Sequence, residues 1–290
     1  MSDVTVVYNP KSGSAITVGD LERAFAPHES AHRIRWSPTT ADDPGPGQTA
    51  EAIERGCDTV VACGGDGTVR AVAETLAGTS TALGVVPLGT GNLLAENLSI
   101  PVGLDAVPCA VSSTTTTLDV GVVNDEKFLV MAGVGFDAAM IRDADSTVKR
   151  RFGSVAYMIS GAKNLPAQIV RASVTVDGEA VWSGRTAMVL VGNCGAVTGG
   201  LQVFPDAAPD DGRLDIAILT AERLRDWLTI GWRLMRRREQ PKHLVERYTG
   251  TTVTVDLDEP APYELDGEDR PETDRLEFTI EPAALEVRCP

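Results

Sequence analysis

The sequence has few residues that bind metals or form disulfides. Its three histidines are not spaced like metal ligands, and its five cysteines contain no CxxC pair. These spacings argue against a zinc site. Reduced thiols in a cytosolic protein are the expected state of the cysteines, which are Cys57, Cys63, Cys109, Cys194 and Cys289.

Long apolar runs are also missing. No window approaches the roughly 18 apolar residues that a membrane-spanning helix needs. The first residues, MSDVTVVYNP, lack the basic region and apolar core of a signal peptide. We therefore expect a protein that is made and kept in the cytoplasm.

Positive charge is scarce, since the net charge is −15 and the isoelectric point is near 4.6. A nucleic-acid-binding protein needs a basic surface to neutralise phosphates, so the charge argues against that function. The 43% of hydrophobic residues and 23% of charged residues are ordinary for a globular protein. A length of 290 residues favours two domains.

The first third alternates strand-like and helix-like segments, which predicts a parallel sheet covered by helices. The strand-like segments are VTVVYN, HRIRWSP, DTVVAC and ALGVVPL, and the helix-like segments are GDLERAFAP, GQTAEAIERG, TVRAVAETLAG and NLLAENLS. From about Thr117 onwards short strand-like pieces dominate, interrupted by two helical stretches. The chain is therefore predicted to form an α/β domain over residues 1–118 and a mostly antiparallel domain over residues 119–290.

A glycine cluster, GGDGT, joins the third predicted strand to a helix. Bare backbone amides at a helix N-terminus suit phosphate oxygens, and glycines permit close approach. Asp66 in this loop would repel phosphate, which indicates a Mg²⁺ ion or a hydroxyl nearby. The alternative is an ordinary strand-to-helix turn in which Asp66 caps the helix.

Two further loops follow predicted strands, YNPKSGS at 8–14 and PLGTGN at 87–92. In a parallel sheet all three loops leave one edge, where ligands of open α/β sheets bind. The three loops together indicate a polyphosphate ligand. The dinucleotide fingerprint GxGxxG and the P-loop GxxxxGK[ST] are both absent from them.

At this point the chain resembles a known family, the soluble lipid kinases that include bacterial diacylglycerol kinases and sphingosine kinases. The resemblance runs from Asn9 to Glu268. It implies a Rossmann-like α/β nucleotide-binding domain, of the kind found in NAD kinases and diacylglycerol kinases, followed by a β-sandwich domain that binds the lipid. The last strand is a candidate to return to the first domain. The matching segments are NPKSG, GGDGTV, PLGTGN, LDVGVVNDEKFLVMAGVGFD, FPDAAPDDGRLDIAIL and LDGE.

The resemblance also implies site residues. Asp66 would organise the Mg²⁺ and phosphate chemistry, Lys11 lies in the first loop where a cation can meet phosphate, and Asp119 would face the cleft at the domain junction. The residues that would hold ATP are Asn9, Ser12, Gly13, Thr40, Gly65, Gly67, Thr68 and Thr90.

The segment ELDGE carries Asp266 and Glu268, which one strand would place on the same face. By the resemblance Glu268 is the general base that accepts the proton of the attacking lipid hydroxyl, and Asp266 is its partner. The alternative is a simple hairpin turn, because Asp-Gly is a common turn dipeptide.

A structural Mg²⁺ loop is implied at PDAAPDDGRL, with the carboxylate of Asp211 and the carbonyls of Ala208 and Arg213 as ligands. An acidic turn without an ion is the alternative. The chain departs from the family at Arg70 and Ala71, where many members have Asn-Glu. Glu74, one turn later, is a candidate to compensate for the missing acid.

The stretch LRDWLTIGWRLMRRR predicts an amphipathic helix with an apolar stripe. Its arginines favour contact with anionic lipid headgroups; the alternative is a helix that covers the sandwich with its arginines in water. Lys149, Arg150 and Arg151 form a second cationic cluster, expected at a headgroup or phosphate. The stripe is Leu224, Trp227, Leu228, Gly231, Leu234 and Met235, flanked by Arg223, Arg233, Arg236, Arg237 and Arg238.

Together these features predict an ATP- and Mg²⁺-dependent lipid kinase, with diacylglycerol as the leading acceptor and phosphatidic acid as the product. It would act in the cytoplasm, at the inner face of the membrane, without nucleic acid and without an obligate protein partner; a homodimer is left open. The alternatives are an NAD kinase-like phosphotransferase and a catalytically silent nucleotide- or lipid-binding regulator of the same fold.

Overall fold

A computed structural model describes residues 1–10, 16–135, 169–197, 201–221, 224–235, 240–241 and 243–289. The chain divides into two compact units. The first unit is Met1–Val120 together with Glu281–Pro290, and the second unit is Gly121–Ile280. The end of the chain thus belongs to the first unit. Among the described helices, none has the length and apolar character needed to cross a membrane.

The first unit contains a parallel sheet. Its strands are β1 (Ser2–Tyr8), β2 (His32–Pro38), β3 (Thr59–Gly64) and β4 (Ala82–Pro87), in the order β4-β3-β1-β2. Every neighbouring pair is parallel, and a last parallel pair, Val287 with Leu83, adds the end of the chain beside β4. All residues of β3 and β4 are buried, as expected for a parallel sheet covered on both faces.

Helices follow these strands as the sequence predicts. They are α1 (Val18–Phe25), α2 (Pro46–Glu54), α3 (Asp66–Leu76), α4 (Leu93–Asn97) and α5 (Val107–Ala110), with 3-10 turns at Ala26–His28 and Gly103–Ala106. Helix α1 begins with a capping box, in which Thr17 and Asp20 each bond the backbone amide of the other. The predicted alternation of strand and helix is therefore confirmed.

The second unit is built from antiparallel strand pairs, as predicted. Its elements are β5 (Thr115–Val123), β6 (Glu126–Phe128), β7 (Met131–Val134), β8 (Val170–Val176), β9 (Glu179–Thr186), β10 (Met188–Gly192), β11 (Ala196–Val197), β12 (Leu201–Gln202), β13 (Leu214–Leu219), α6 (Leu224–Met235), β14 (Val245–Gly250), β15 (Thr252–Leu265) and β16 (Glu268–Arg288). One path of paired strands runs β14-β13-β10-β7-β15-β16. Strands β5 and β16 also extend into the first unit.

Strand β10 shows how the second unit buries both faces of its sheet. Val189 and Val191 join one core cluster, which includes Phe128, Leu265 and Phe278. The alternate residues Met188 and Leu190 join a second cluster on the other face, which includes Phe204 and Ile230 of α6. Side chains of a strand alternate between faces, so each apolar residue of β10 has a core to enter.

A substitution at Phe278 tests the core cluster that also includes Phe128 and Leu265. Its side chain is 1% exposed and meets Phe128 edge to face, with ring centroids 6.2 Å apart. Phe278→Ala is expected to lower the free energy of unfolding by about 3–5 kcal/mol, because it leaves a cavity in a closed core. Urea unfolding measures the loss. The exposed Glu179→Ala should change it by less than about 0.5 kcal/mol, and equal effects would contradict this assignment of the core.

Candidate functional site

Two glycine-rich loops meet at one edge of the parallel sheet. The first joins β3 to α3 through Gly65, and the second joins β4 to α4 through residues 88–92. Strands β3 and β4 are parallel neighbours, so both loops leave the sheet at its carboxyl edge. The Leu88 amide donates to the Gly64 carbonyl at 2.8 Å, which starts the two loops side by side.

Asp66 links these loops. Its carboxylate accepts the backbone N–H of Asn92 at 2.8 Å and that of Leu93 at 2.6 Å. It therefore caps α4, the helix of the neighbouring loop, whereas the capping alternative placed it on its own helix. Each carboxylate oxygen has a second lone pair, so these bonds leave Asp66 able to meet a cation or a hydroxyl as well.

The glycines allow the two loops to touch. A Cβ built on Gly89 would lie 2.6 Å from the Cα of Gly65, and one on Gly91 would lie 2.7 Å from Oδ2 of Asp66. Asn92 closes the second loop in the left-handed conformation, with φ of 53°, and its side chain bonds both the N–H and the C=O of Gly89 at 3.0 Å. The loops thus form one compact backbone surface.

A cavity of about 380 Å³ lies beside the second loop. The predicted ATP residue Thr90 lines it, next to Gly89 and the apolar side chains of Ile16, Leu88 and Val102. The walls combine backbone and apolar side chains, a surface suited to the uncharged part of a ligand.

The structure describes the surroundings of some of the other residues predicted to bind ATP, and their role stays a prediction. The Asn9 amide donates to the Cys63 carbonyl at 3.2 Å, which brings the first predicted loop beside β3. Thr40 forms a turn, in which its hydroxyl accepts the Asp43 amide at 3.0 Å. Gly67 and Thr68 lie in the first turn of α3. Lys11, Ser12 and Gly13 lie outside the described residues, as do Lys149, Arg150 and Arg151 of the predicted cationic cluster.

The departure at Arg70 has a structural consequence. The Arg70 guanidinium pairs with the Glu74 carboxylate at 3.5 Å, one helical turn away, and its side chain is only 12% exposed. Glu74 therefore pairs with a neighbouring cation, and its role as a replacement for the missing acid stays a prediction.

Asp119 is 3% exposed, and its carboxylate accepts the Ala283 amide at 2.7 Å. Ala283 has a φ of 50°, so this bond stabilises an unusual bend of the returning strand. The contact gives Asp119 a structural role, and the catalytic role predicted for it stays a prediction.

In the second unit, Asp266 and Gly267 form a two-residue hairpin turn between β15 and β16. Their φ angles are 47° and 83°, and Leu265 pairs with Glu268 across the turn. These are the features of a type I′ turn. The expectation that Asp266 and Glu268 share one strand face is wrong, because the turn separates them.

The Asp266 carboxylate is 5% exposed and holds the turn in place. It accepts three backbone amides, those of Leu129, Val130 and Met131, at 2.8, 2.9 and 3.0 Å. The Asp266 amide donates back to the Met131 carbonyl at 2.9 Å. Three N–H donors favour the charged form of this carboxylate.

Glu268 is the accessible acid of the segment, with 41% of its side chain exposed. Arg270 donates to its Oε2 at 3.3 Å and to Glu126 at 2.7 Å, and Tyr263 donates to the other oxygen of Glu126 at 3.0 Å. Burial and the Glu126 carboxylate raise the pKa of Tyr263 to about 12. Burial lowers the pKa of Arg270, but Glu126 and Glu268 outweigh it and the net change is upward. The network fixes the direction of the partly exposed Glu268 carboxylate.

Sequence reasoning missed Glu264. Its side chain is fully buried, and Oε2 accepts the Gly267 amide at 3.1 Å. Burial, followed by the charge of Asp266, raises the pKa of Glu264 well above its usual value. An acid between the core residues Tyr263 and Leu265 was the available signal, but strand alternation alone would have placed it in water.

The predicted Mg²⁺ loop forms a turn. Asp211 accepts the Arg213 amide at 2.9 Å, and its own amide donates to the Ala208 carbonyl at 3.4 Å. One carboxylate and two carbonyls are ligands that Mg²⁺ accepts. In the described part of the chain, no three His, Cys, Asp or Glu side chains are grouped as a metal site. The Mg²⁺ loop stays a prediction.

Family models match both parts of the chain. One described as "Diacylglycerol kinase catalytic domain" matches residues 3–123, and one described as "YegS C-terminal NAD kinase beta sandwich-like domain" matches residues 130–289. A "Probable lipid kinase YegS-like" of Pseudomonas putida is 32% identical over 249 residues, which are 83% of this chain and 80% of that protein. The chain belongs to the diacylglycerol kinase and YegS-like lipid kinase family.

A further relative is similar in sequence, and two solved structures are similar in fold. A "Diacylglycerol kinase" of Bacillus subtilis is 29% identical over 276 residues, covering 92% of this chain and 90% of that protein. The structure of a diacylglycerol kinase from Bacillus anthracis matches with a TM-score of 0.76 and 19% identity, over 100% of this chain and 97% of that one. The structure of an NAD kinase from Archaeoglobus fulgidus in complex with ATP matches with a TM-score of 0.54 and 12% identity, over 99% of this chain and 93% of that one. The predicted fold class is confirmed, and this lipid kinase family member is an enzyme.

Gly89 tests the contact between the loops of this lipid kinase. In Gly89→Ala the new methyl group would collide with the backbone of the neighbouring loop, so the loops must separate. We expect the free energy of unfolding to fall by about 1–3 kcal/mol. Urea unfolding measures this change. Gly19→Ala in α1 is the control, because its nearest neighbour would be 3.9 Å away. A Gly89→Ala protein as stable as wild type would contradict the close approach.

Proposed function

We propose that this enzyme transfers the γ-phosphoryl group of ATP to the hydroxyl of a membrane lipid, with diacylglycerol as the first candidate and phosphatidic acid as its product. The observation that carries the proposal is the pair of loops joined by Asp66 at the carboxyl edge of the sheet. Relatives named as a diacylglycerol kinase and as probable lipid kinases support the lipid acceptor.

The nucleotide would bind at these loops. The amides at the N-terminus of α3, an eleven-residue helix, favour an anion. Asp66 would hold the Mg²⁺ that neutralises phosphate charge, using the lone pairs that its backbone bonds leave. The other proposed nucleotide contacts are Asn9, Thr40, Gly65, Gly67, Thr68 and Thr90, together with Lys11, Ser12 and Gly13 of the first loop.

Glu268 would accept the proton of the lipid hydroxyl. The hydroxyl oxygen then forms a bond to the γ-phosphorus, the bond from that phosphorus to the β–γ bridging oxygen breaks, and ADP leaves with the electron pair. A partly exposed carboxylate held by Arg270 has the access and the fixed direction that this role needs. Asp266 would act by holding the Asp266–Gly267 turn, which directly precedes Glu268, the first residue of β16.

Helix α6 would contact the membrane surface. Arg225, Thr229 and Trp232 share one face of the helix by their spacing, while Ile230 points into the core. Arg225 has 74% of its side chain exposed, and Trp232 is 42% exposed. A tryptophan and an arginine on one helix face suit the boundary between anionic headgroups and acyl chains.

The reaction is tested with labelled Mg-ATP, a panel of lipids in mixed micelles and NAD as a soluble acceptor. With diacylglycerol as acceptor we expect labelled phosphatidic acid, and none with Asp66→Asn, which keeps one carbonyl oxygen for the α4 amides. Asp105→Asn, an exposed acid in the same unit, is the control and should remain active. Labelled NADP would indicate an NAD kinase, and nucleotide binding without any labelled acceptor would favour a silent regulator.

The base is tested by Glu268→Gln, which keeps the size of the side chain and removes its ability to take a proton. We expect turnover to fall by about two to four orders of magnitude, with little change in the affinity for ATP. Glu272→Gln, an exposed acid on the same strand, serves as the control. Turnover near that of wild type in Glu268→Gln would remove the base role.

The membrane face is tested by co-sedimentation with vesicles of phosphatidylcholine and phosphatidylglycerol. Trp232→Ala is expected to weaken binding about tenfold through lost apolar contact, and Arg225→Gln about fivefold through lost charge. The loss in Arg225→Gln should shrink at high salt. Arg171→Gln, an exposed arginine on β8, should bind like wild type. Equal binding by all variants would exclude this face.

A further inference from the structure

Glu264 occupies a place where a carboxyl group is costly. It lies in β15 between Tyr263 and Leu265, both of which enter a hydrophobic cluster, and its own side chain has no exposed surface. One carboxyl oxygen accepts the Gly267 amide at 3.1 Å. The other, Oε1, is buried and has no hydrogen-bond partner among the residues that the structure describes.

Among the residues that the structure describes, the charged groups that act on Glu264 are acids. Asp266 follows two residues later, and Asp269 lies opposite Glu264 in β16. On the other side of β15, the residue of β7 that pairs with Glu264 is Gly133, which carries no charge. Burial, followed by the charge of Asp266, raises the pKa of the Cys194 thiol, so this thiol also lies near Asp266. Arg270, the nearest cation in sequence, is engaged with Glu126 and Glu268.

These surroundings favour a negative charge on the Asp266 carboxyl group over one on the Glu264 carboxyl group. Asp266 receives three backbone amides, which stabilise its ionised form. Glu264 receives one, and ionising it would bury a second negative charge beside the first. Such a pair separates into an ionised member and a protonated member.

We propose that Glu264 is a protonated positioning residue, whose neutral carboxyl group holds the Asp266–Gly267 turn through the Gly267 amide and thereby positions Glu268. If Glu264 lost its proton, its negative charge would repel that of Asp266, and this repulsion would loosen the turn. The consequence for catalysis rests on the base role proposed for Glu268, while the protonation of Glu264 does not.

The raised pKa of Glu264, caused by burial and then by Asp266, fixes the sign of a pH effect on stability. Below the ordinary pKa of glutamate, both the folded and the unfolded chain carry the proton. As the pH rises from that value towards the raised pKa, the unfolded chain loses its proton first, so the folded state loses stability. Glu264→Gln cannot ionise and should not show this loss.

The first experiment examines the folded protein without substrates. In infrared spectra at pH 7, we expect a carboxylic acid C=O band that is present in wild type and in Glu259→Gln, and absent in Glu264→Gln. Glu259 is an exposed acid on the same strand and serves as the matched control. Thermal unfolding should show that Glu264→Gln gains stability over wild type as the pH rises from 5 upwards.

The proposal is overturned if the difference spectrum between wild type and Glu264→Gln lacks the acid band, or if their melting temperatures follow the same pH dependence. These two readouts do not require kinase activity, so they decide the protonation of Glu264 even if the proposed phosphoryl transfer fails.

The second experiment measures the positioning effect as kcat and KM over pH. Glu264→Leu, which removes the acceptor of the Gly267 amide, should lower kcat about tenfold with KM for ATP unchanged, the size expected for one lost hydrogen bond. Glu264→Gln, which keeps an acceptor, should restore kcat and move the alkaline loss of activity to higher pH. Equal kcat values for the two variants, or an unchanged alkaline loss in Glu264→Gln, would overturn the positioning role.

Discussion

The candidate nucleotide site depends on the bonds that the Asp66 carboxylate makes to the amides of Asn92 and Leu93. These bonds join two loops that leave neighbouring strands, and they bring the start of α4 against the start of α3. The close approach of Gly65 and Gly89 is possible only because neither has a side chain. A carboxylate placed among backbone amides thus determines the shape of the surface that would receive phosphate.

The same physical arrangement recurs in the other motif acids. Asp119 bonds the amide of Ala283, and Asp266 bonds three amides of residues 129–131. Backbone amides compensate a buried carboxylate for its lost hydration, so each of these acids can organise a bend of the chain. Each of these acids bonds the backbone in addition to any ligand that it binds. Substitution by alanine would therefore remove both contacts at once, whereas substitution by asparagine keeps an acceptor for the backbone amides and separates the two effects.

Much of the fold could be predicted from local patterns. The alternation of apolar strands with amphipathic helices in the first third corresponds to β1 to β4 and their helices, because burial on both faces of a parallel sheet leaves continuous apolar runs. The two-residue Asp-Gly turn was also open to prediction, since few dipeptides adopt two consecutive positive φ angles easily. The placement of Asp266 and Glu268 on one face failed because the choice between strand and turn depends on register with the next strand.

The sequence by itself determined the class of each element, the three glycine loops and the acids in the family motifs, because these follow from side-chain periodicity and backbone freedom. Only the tertiary structure decided what those acids bond. The partners of Asp66 lie 26 and 27 positions away, and those of Asp266 lie 135 to 137 positions away. The burial of Glu264 was decided in the same way, because a strand residue enters a core or water according to what packs on its face of the sheet.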